Sequence, residues 1–126
     1  MTANVLLVDD ETDFLEVMAE RLMLRDVNVS TAESVYEALQ KVETENFDAV
    51  VMDFLIPDMD GISALKALKK AQPELHVFLL TGYATVEKRN EALQHGADAL
   101  LDKPGNLELL ARLIQKVSSQ EKEKSK

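Results

Sequence analysis

Three observations predict an α/β fold with a doubly wound parallel sheet. Short apolar runs rich in branched residues alternate five times with longer segments of helical period, the pattern of repeated βα units. Most of those runs are apolar at consecutive positions, as strands covered on both faces are. The chain has 126 residues, 46% of them hydrophobic, enough for one core and too few for two.

The elements follow in order. Residues 5–8 form the first run, and Phe14, Met18 and Leu22 then recur every fourth position, one apolar stripe of a helix. After the run 27–31, Ser34-Val35-Tyr36-Glu37 fits a capping box that opens the second helix. The run 49–52 leads into a loop with Pro57, Asp58, Asp60 and Gly61, where Asp60 is placed to cap the third helix. Pro73 stops that helix near Gln72, and the fourth run is 77–80. Between Thr85 and His95 the fourth helix is mostly polar. Val86 and Leu93 are its only large apolar anchors, and Asn90 falls on the same face as Val86. Loose docking is therefore expected. His95-Gly96 closes it, with Gly supplying the left-handed position after a helix. The run 99–101 precedes a fifth helix marked by Leu110, Leu113, Ile114 and Val117. Residues 118–126 are only Ser, Gln, Glu and Lys, which cannot bury area and should fray. The expected organisation is one domain over 1–117 and a polar tail over 118–126, either a natural terminus or the start of a linker.

Composition excludes several function classes. With no cysteine there is no disulfide scaffold, thiolate zinc site, iron–sulfur cluster or cysteine nucleophile. No apolar run approaches the roughly 20 residues that cross a bilayer, and the N-terminus lacks a basic segment ahead of an apolar one, so a soluble cytoplasmic protein is the default. The formal charge of −9 argues against binding nucleic acid through phosphate neutralisation. That total is uneven. Residues 1–63 hold 15 acidic and 3 basic side chains, net −12, whereas 64–126 hold 8 and 11, net +3. One half is suited to hold a cation, the other to meet an anion or a partner.

Ligands of open parallel sheets sit beyond the carboxyl ends of the strands. Asp9, Asp10 and Glu11 follow the first run, Asp53 the third, Thr81 and Gly82 the fourth, Lys103 and Pro104 the fifth. Each has a plainer reading. Asp9 or Asp10 could cap the first helix, Asp53 could be a turn residue, Thr81 an ordinary strand end, and Lys103 a surface lysine paired with Asp102. Their joint occurrence at four strand ends is harder to attribute to chance. Carboxylates about 4 Å apart repel by roughly 4 kcal/mol at an effective dielectric near 20, so Asp9, Asp10 and Asp53 need a counter-charge. Few oxygen ligands completed by water describe Mg²⁺. An incoming phosphoryl group would then find the metal, the Lys103 ammonium, and the Thr81 hydroxyl with the Gly82 N–H for its oxygens, leaving Asp53 as the nucleophile.

The sequence resembles a two-component response-regulator receiver domain. The residues that carry the resemblance are Val8-Asp9-Asp10-Glu11, Met52-Asp53 running into Phe54-Leu55-Ile56-Pro57-Asp58-Met59-Asp60-Gly61, Thr81-Gly82, and Gly96-Ala97-Asp98 with Lys103-Pro104. The resemblance implies a flavodoxin-like (βα)5 sheet of order 2-1-3-4-5. It implies that Asp53 accepts phosphate from a sensor histidine kinase or phosphotransfer protein. It implies Mg²⁺ on Asp10, Asp53 and the Leu55 carbonyl, with Asp9 acting through water, and a cis Lys103–Pro104 bond. A phosphorylation-dependent homodimer through the fourth helix, fifth strand and fifth helix is compatible with the basic excess there.

Departures from the family cluster on one side. Receiver domains carry Tyr or Phe in strand five, where this chain has Leu100, with Tyr83 the nearest aromatic to substitute beside the Thr81 switch hydroxyl. Gly105 replaces an apolar residue, Asn106 is placed to cap the fifth helix, and Arg89-Asn90 interrupts the fourth. A degenerate receiver acting as a phosphorylation-independent interaction module is the alternative. A haloacid-dehalogenase-type phosphatase would want an acid two residues after Asp53, where Leu55 stands. A flavin site would want a Gly-rich loop after strand one, which is absent.

Overall fold

The computed structural model describes residues 3–82, 85–103 and 107–124, with side chains up to 118. The expectations placed on Tyr83, on the Lys103–Pro104 bond and on Gly105 and Asn106 lie outside the described residues. Strands and helices alternate throughout: β1 (Ala3–Val8), α1 (Thr12–Met23), β2 (Val27–Ala32), α2 (Val35–Thr44), β3 (Ala49–Asp53), α3 (Gly61–Ala71), β4 (His76–Thr81), α4 (Val86–Gln94), β5 (Ala99–Asp102) and α5 (Leu107–Lys124). The strands pair in parallel in the order β2-β1-β3-β4-β5.

Successive strand residues point to opposite faces, so each continuous apolar run feeds two cores. Leu6, Val8, Val50, Met52, Val77 and Leu79 meet α2, α3 and α4 on one face. Val5, Leu7, Val51, Phe78 and Leu80 meet Leu15, Met18 and Leu22 of α1 and Leu110, Ile114 and Val117 of α5 on the other. Phe14, placed in the α1 stripe by spacing, is only half-buried at the edge of this second core.

The caps show which local signals the chain uses. Ser34 Oγ accepts from Glu37 N at 3.1 Å, and Glu37 returns to the N–H of Glu33 rather than that of Ser34. Asp60 accepts from Ser63 N at 3.1 Å and opens α3. Neither Asp9 nor Asp10 caps α1, whose first turn is preceded by Glu11 without a side-chain cap. Gly96 takes φ +103°, the left-handed geometry expected after α4.

One reading is corrected. Val86 and Leu93 do not anchor α4: they are 72% and 49% exposed, Asn90 is exposed, and Ala92 is the buried residue of this helix. A step of one residue turns a helix by about 100°, so seating small Ala92 swings Leu93 outward. Beyond Val117, α5 runs on to Lys124, and Ser118 is buried. A helix already packed through Val117 propagates at little further cost. No helix among the described residues is long and apolar enough to cross a membrane.

Candidate functional site

Parallel strands in register end on a common edge, and here the ladders run one residue further. Asp9 N donates to Ala32 O at 3.1 Å, Phe54 N to Leu80 O at 2.8 Å, and Lys103 N to Thr81 O at 3.0 Å. The backbone therefore fixes Asp9, Asp53 and Lys103 before any side chain acts. Asp9, Asp53 and Thr81 are buried, and carboxylates are seldom buried unless they are paired.

Short local bonds aim the two buried acids. Asp9 Oδ1 accepts from Glu11 N at 2.9 Å, and Asp53 Oδ1 accepts from Leu55 N at 3.1 Å. Each bond occupies one oxygen and turns the other toward Lys103. The ammonium lies 2.9 Å from Asp9 Oδ2, and donates to Asp53 Oδ2 at 3.1 Å and Glu11 Oε1 at 2.7 Å. Beneath it sits the Phe14 ring, 4.6 Å from its centroid. Burial works to lower the Lys103 pKa, but its contacts with Glu11, Asp9 and Asp53 outweigh that and push it above the ordinary lysine value. Burial pushes the Asp9 carboxyl upward, only partly opposed by the Glu11 N–H and the Lys103 charge.

Among the described residues the Lys103 ammonium thus pairs with three carboxylates, Asp9, Asp53 and Glu11, and Asp10 stands beside two of them. An oxygen from each of Asp9, Asp10 and Asp53 lies within 4.8 Å of the other two. Lys103 meets Asp9 Oδ2 off the hydrogen-bonding angle, so this buried oxygen has an ion pair but no hydrogen-bond donor among the described residues. Such an orphaned acceptor, within an all-oxygen donor set of net negative charge, fits a hard divalent cation of the Mg²⁺ or Ca²⁺ class.

The remaining candidates are distributed around this centre. Gly82 is exposed, with open space where a side chain would be. Leu55 is exposed, its N–H committed to Asp53. Leu100 pairs in register with Leu79 and packs, half-buried, against the core shared by α2, α3 and α4. Asp102 pairs with Arg89 of α4 at 3.1 Å and not with Lys103. Two contributors were missed from sequence. Phe14, read as core, sits under the ammonium; its place three residues after Glu11 on α1 was the available signal. Asp58 accepts from Val35 N and Tyr36 N, both at 3.1 Å, and so ties the loop after Asp53 to the start of α2. Its partners stand 22 and 23 residues away, beyond any local pattern.

Known proteins resemble the chain in sequence and fold. The chain is 34% identical over 113 residues to the transcriptional regulatory protein ZraR of Escherichia coli, covering 90% of the chain but 26% of the relative. It thus spans about a quarter of that relative's length. A response regulator receiver domain protein of Methanospirillum hungatei superposes with a TM-score of 0.88 at 35% identity, covering 98% of this chain and 99% of the other. A response regulator of Burkholderia pseudomallei, solved with a phosphorylated aspartic acid and a calcium ion, superposes at 0.82 with 32% identity, covering 97% and 72%. The model of the response regulator receiver domain matches residues 5–115, nearly the whole described fold, and the chain belongs to that family.

Proposed function

We propose that the chain is a phosphorylation-driven switch whose acceptor is Asp53. A sensor histidine kinase or phosphotransfer protein of a two-component system would be the donor. The supporting observation is the pairing of a buried, backbone-fixed Asp53 with Lys103 at 3.1 Å beside the orphaned Asp9 oxygen. A carboxylate nucleophile, unlike a hydroxyl, needs no general base to activate it. One of its oxygens forms a bond to phosphorus while the donor's P–N bond breaks. The electron pair leaves on the imidazole, which takes a proton from solvent. Lys103 neutralises one phosphoryl oxygen, and the Thr81 hydroxyl with the Gly82 N–H receives another. Asp9, Asp10, Asp53 and the Leu55 carbonyl would hold Mg²⁺, which when bound supplies further charge neutralisation. The solved relative with a phosphorylated aspartate and a calcium ion supports both assignments.

On this reading the activity is self-catalysed phosphoryl transfer and hydrolysis, and the output is altered partner binding through α4, β5 and α5, including a phosphorylation-dependent homodimer. The cytoplasm, where such kinases present their phosphohistidine, is the proposed place of work. Incubation with Mg²⁺ and acetyl phosphate should add one phosphoryl group to the intact mass. The gain should vanish in Asp53→Asn and on chelation of Mg²⁺. Absence of any gain with several donors would instead favour a phosphorylation-independent interaction module.

A further inference from the structure

The Lys103 ammonium has more carboxylate partners than phosphoryl binding requires. Of the three, Glu11 is the nearest, at 2.7 Å, against 2.9 Å for Asp9 and 3.1 Å for Asp53. It is also the only one in solvent, its side chain 65% exposed where those of Asp9 and Asp53 are 2% and 9%. Asp9 and Asp53 each have their Oδ1 held by a backbone N–H, so their positions are set by the loops. The Glu11 side chain makes no cap to α1, which leaves it free to swing away without cost to that helix. Phe14, one turn along α1, lies under the same ammonium. Glu11 and Phe14 together form a resting place for the charge at the start of α1.

We propose that Glu11 is a positioning residue that holds the Lys103 ammonium on the α1 side of the site until a phosphoryl group on Asp53 draws it away. The inference rests on Asp53 being the acceptor. A phosphoryl group brings three anionic oxygens to a lysine that Glu11 already occupies, so each binding event must first break that contact. Glu11 therefore sets a threshold: it weakens the hold of the site on a phosphoryl group and shortens the lifetime of the switched state. Because the pair is half in water, its effect is modest and falls with salt.

Beryllofluoride, an anion shaped like the phosphoryl group, provides the test at saturating Mg²⁺, with binding followed by fluorine NMR. Glu11→Ala should tighten binding about two- to fivefold at low salt, the range an exposed ion pair supplies. Glu11→Asp keeps the charge but loses reach, and an Asp at this position caps the helix. It should therefore behave as Glu11→Ala does. Glu16→Ala, which removes an exposed charge elsewhere on α1, should leave affinity at the parent value. An unchanged Glu11→Ala would overturn the proposal, as would a parent-like Glu11→Asp or an equal gain in Glu16→Ala. Failure of the parent protein to bind beryllofluoride would instead count against Asp53 as acceptor. The lysine ammonium resonances, recorded without anion, still decide the matter in that event. The Lys103 ammonium protons should exchange with water faster in Glu11→Ala than in the parent, and equal rates would refute the holding contact.

Discussion

Helices α3 and α4 cover the same face of the sheet and are held in opposite ways. α3 buries Gly61, Ile62, Ala64, Leu65 and Leu68, and starts on an Asp60 cap. Its first residue lies so close to Phe54 that a Cβ there would come within 2.5 Å of the ring, which makes glycine obligatory. α4 buries Ala92 and turns Val86 and Leu93 to solvent. The loop between Asp53 and α3 is thereby pinned at both ends, with Asp58 adding a tie to α2. The helix that follows Thr81 has far less to keep it in place. In the proposed switch an acceptor site would have to hold its carboxylates still and a reporter would have to move on a small free-energy change, and the contrast suits those two tasks.

The largest expected effect breaks the contrast most directly. Leu68→Ala removes a fully buried side chain and should cost about 2–5 kcal/mol of stability, a range set by how far the cavity collapses. Leu93→Ala removes a half-exposed one and should cost about 0.5 kcal/mol or less. Urea unfolding of the two variants measures both. Similar losses would mean that α4 is docked as firmly as α3.

A smaller effect separates the helices by where it is felt. Asp60 and Thr85 make equivalent caps, each accepting from the N–H three residues on at 3.1 Å. Replacing either by Ala should remove about 1 kcal/mol from its own helix. For Asp60 that loss should appear in global unfolding, because α3 does not open separately from the core. For Thr85 it should appear as faster amide exchange confined to 86–94, with the urea midpoint nearly unchanged. Protection of the α4 amides equal to that near Leu65 or Leu110 in the parent protein would remove the distinction.

The sequence showed most of the fold because the information was local. Five apolar runs, the Ser34 and Asp60 caps and the Gly96 turn each sit within a few residues of what they determine. Strand order is non-local and came from resemblance, whereas the convergence of Asp9, Asp53, Thr81 and Lys103 followed from a general rule about strand ends. The helix faces were less legible. In α4 the largest apolar residues suggested the buried side, but a nine-residue helix close to the sheet edge is seated by its smallest residue. The contacts of Glu11, Phe14 and Asp58 also lay hidden, since long polar or aromatic side chains reach across elements that sequence spacing does not relate.

The smallest expected effect concerns an ion pair that fastens α4 to the sheet. Arg89 Nη2 lies 3.1 Å from Asp102 Oδ1, on the residue just before Lys103, so the pair links α4 to the strand that leads into Lys103. Both groups meet water, the Asp102 side chain being 86% exposed, and exposed pairs contribute about 1 kcal/mol at most. Asp102→Asn should therefore raise amide exchange over 86–94 by no more than about fivefold at low salt. The difference should disappear near 1 M salt, where screening extends only about 3 Å. A larger change would make the pair, and not Ala92, the main restraint on α4. No change at low salt would leave the Ala92 contact as the restraint, and the helix would then respond to movements of the core beneath it more than to Lys103.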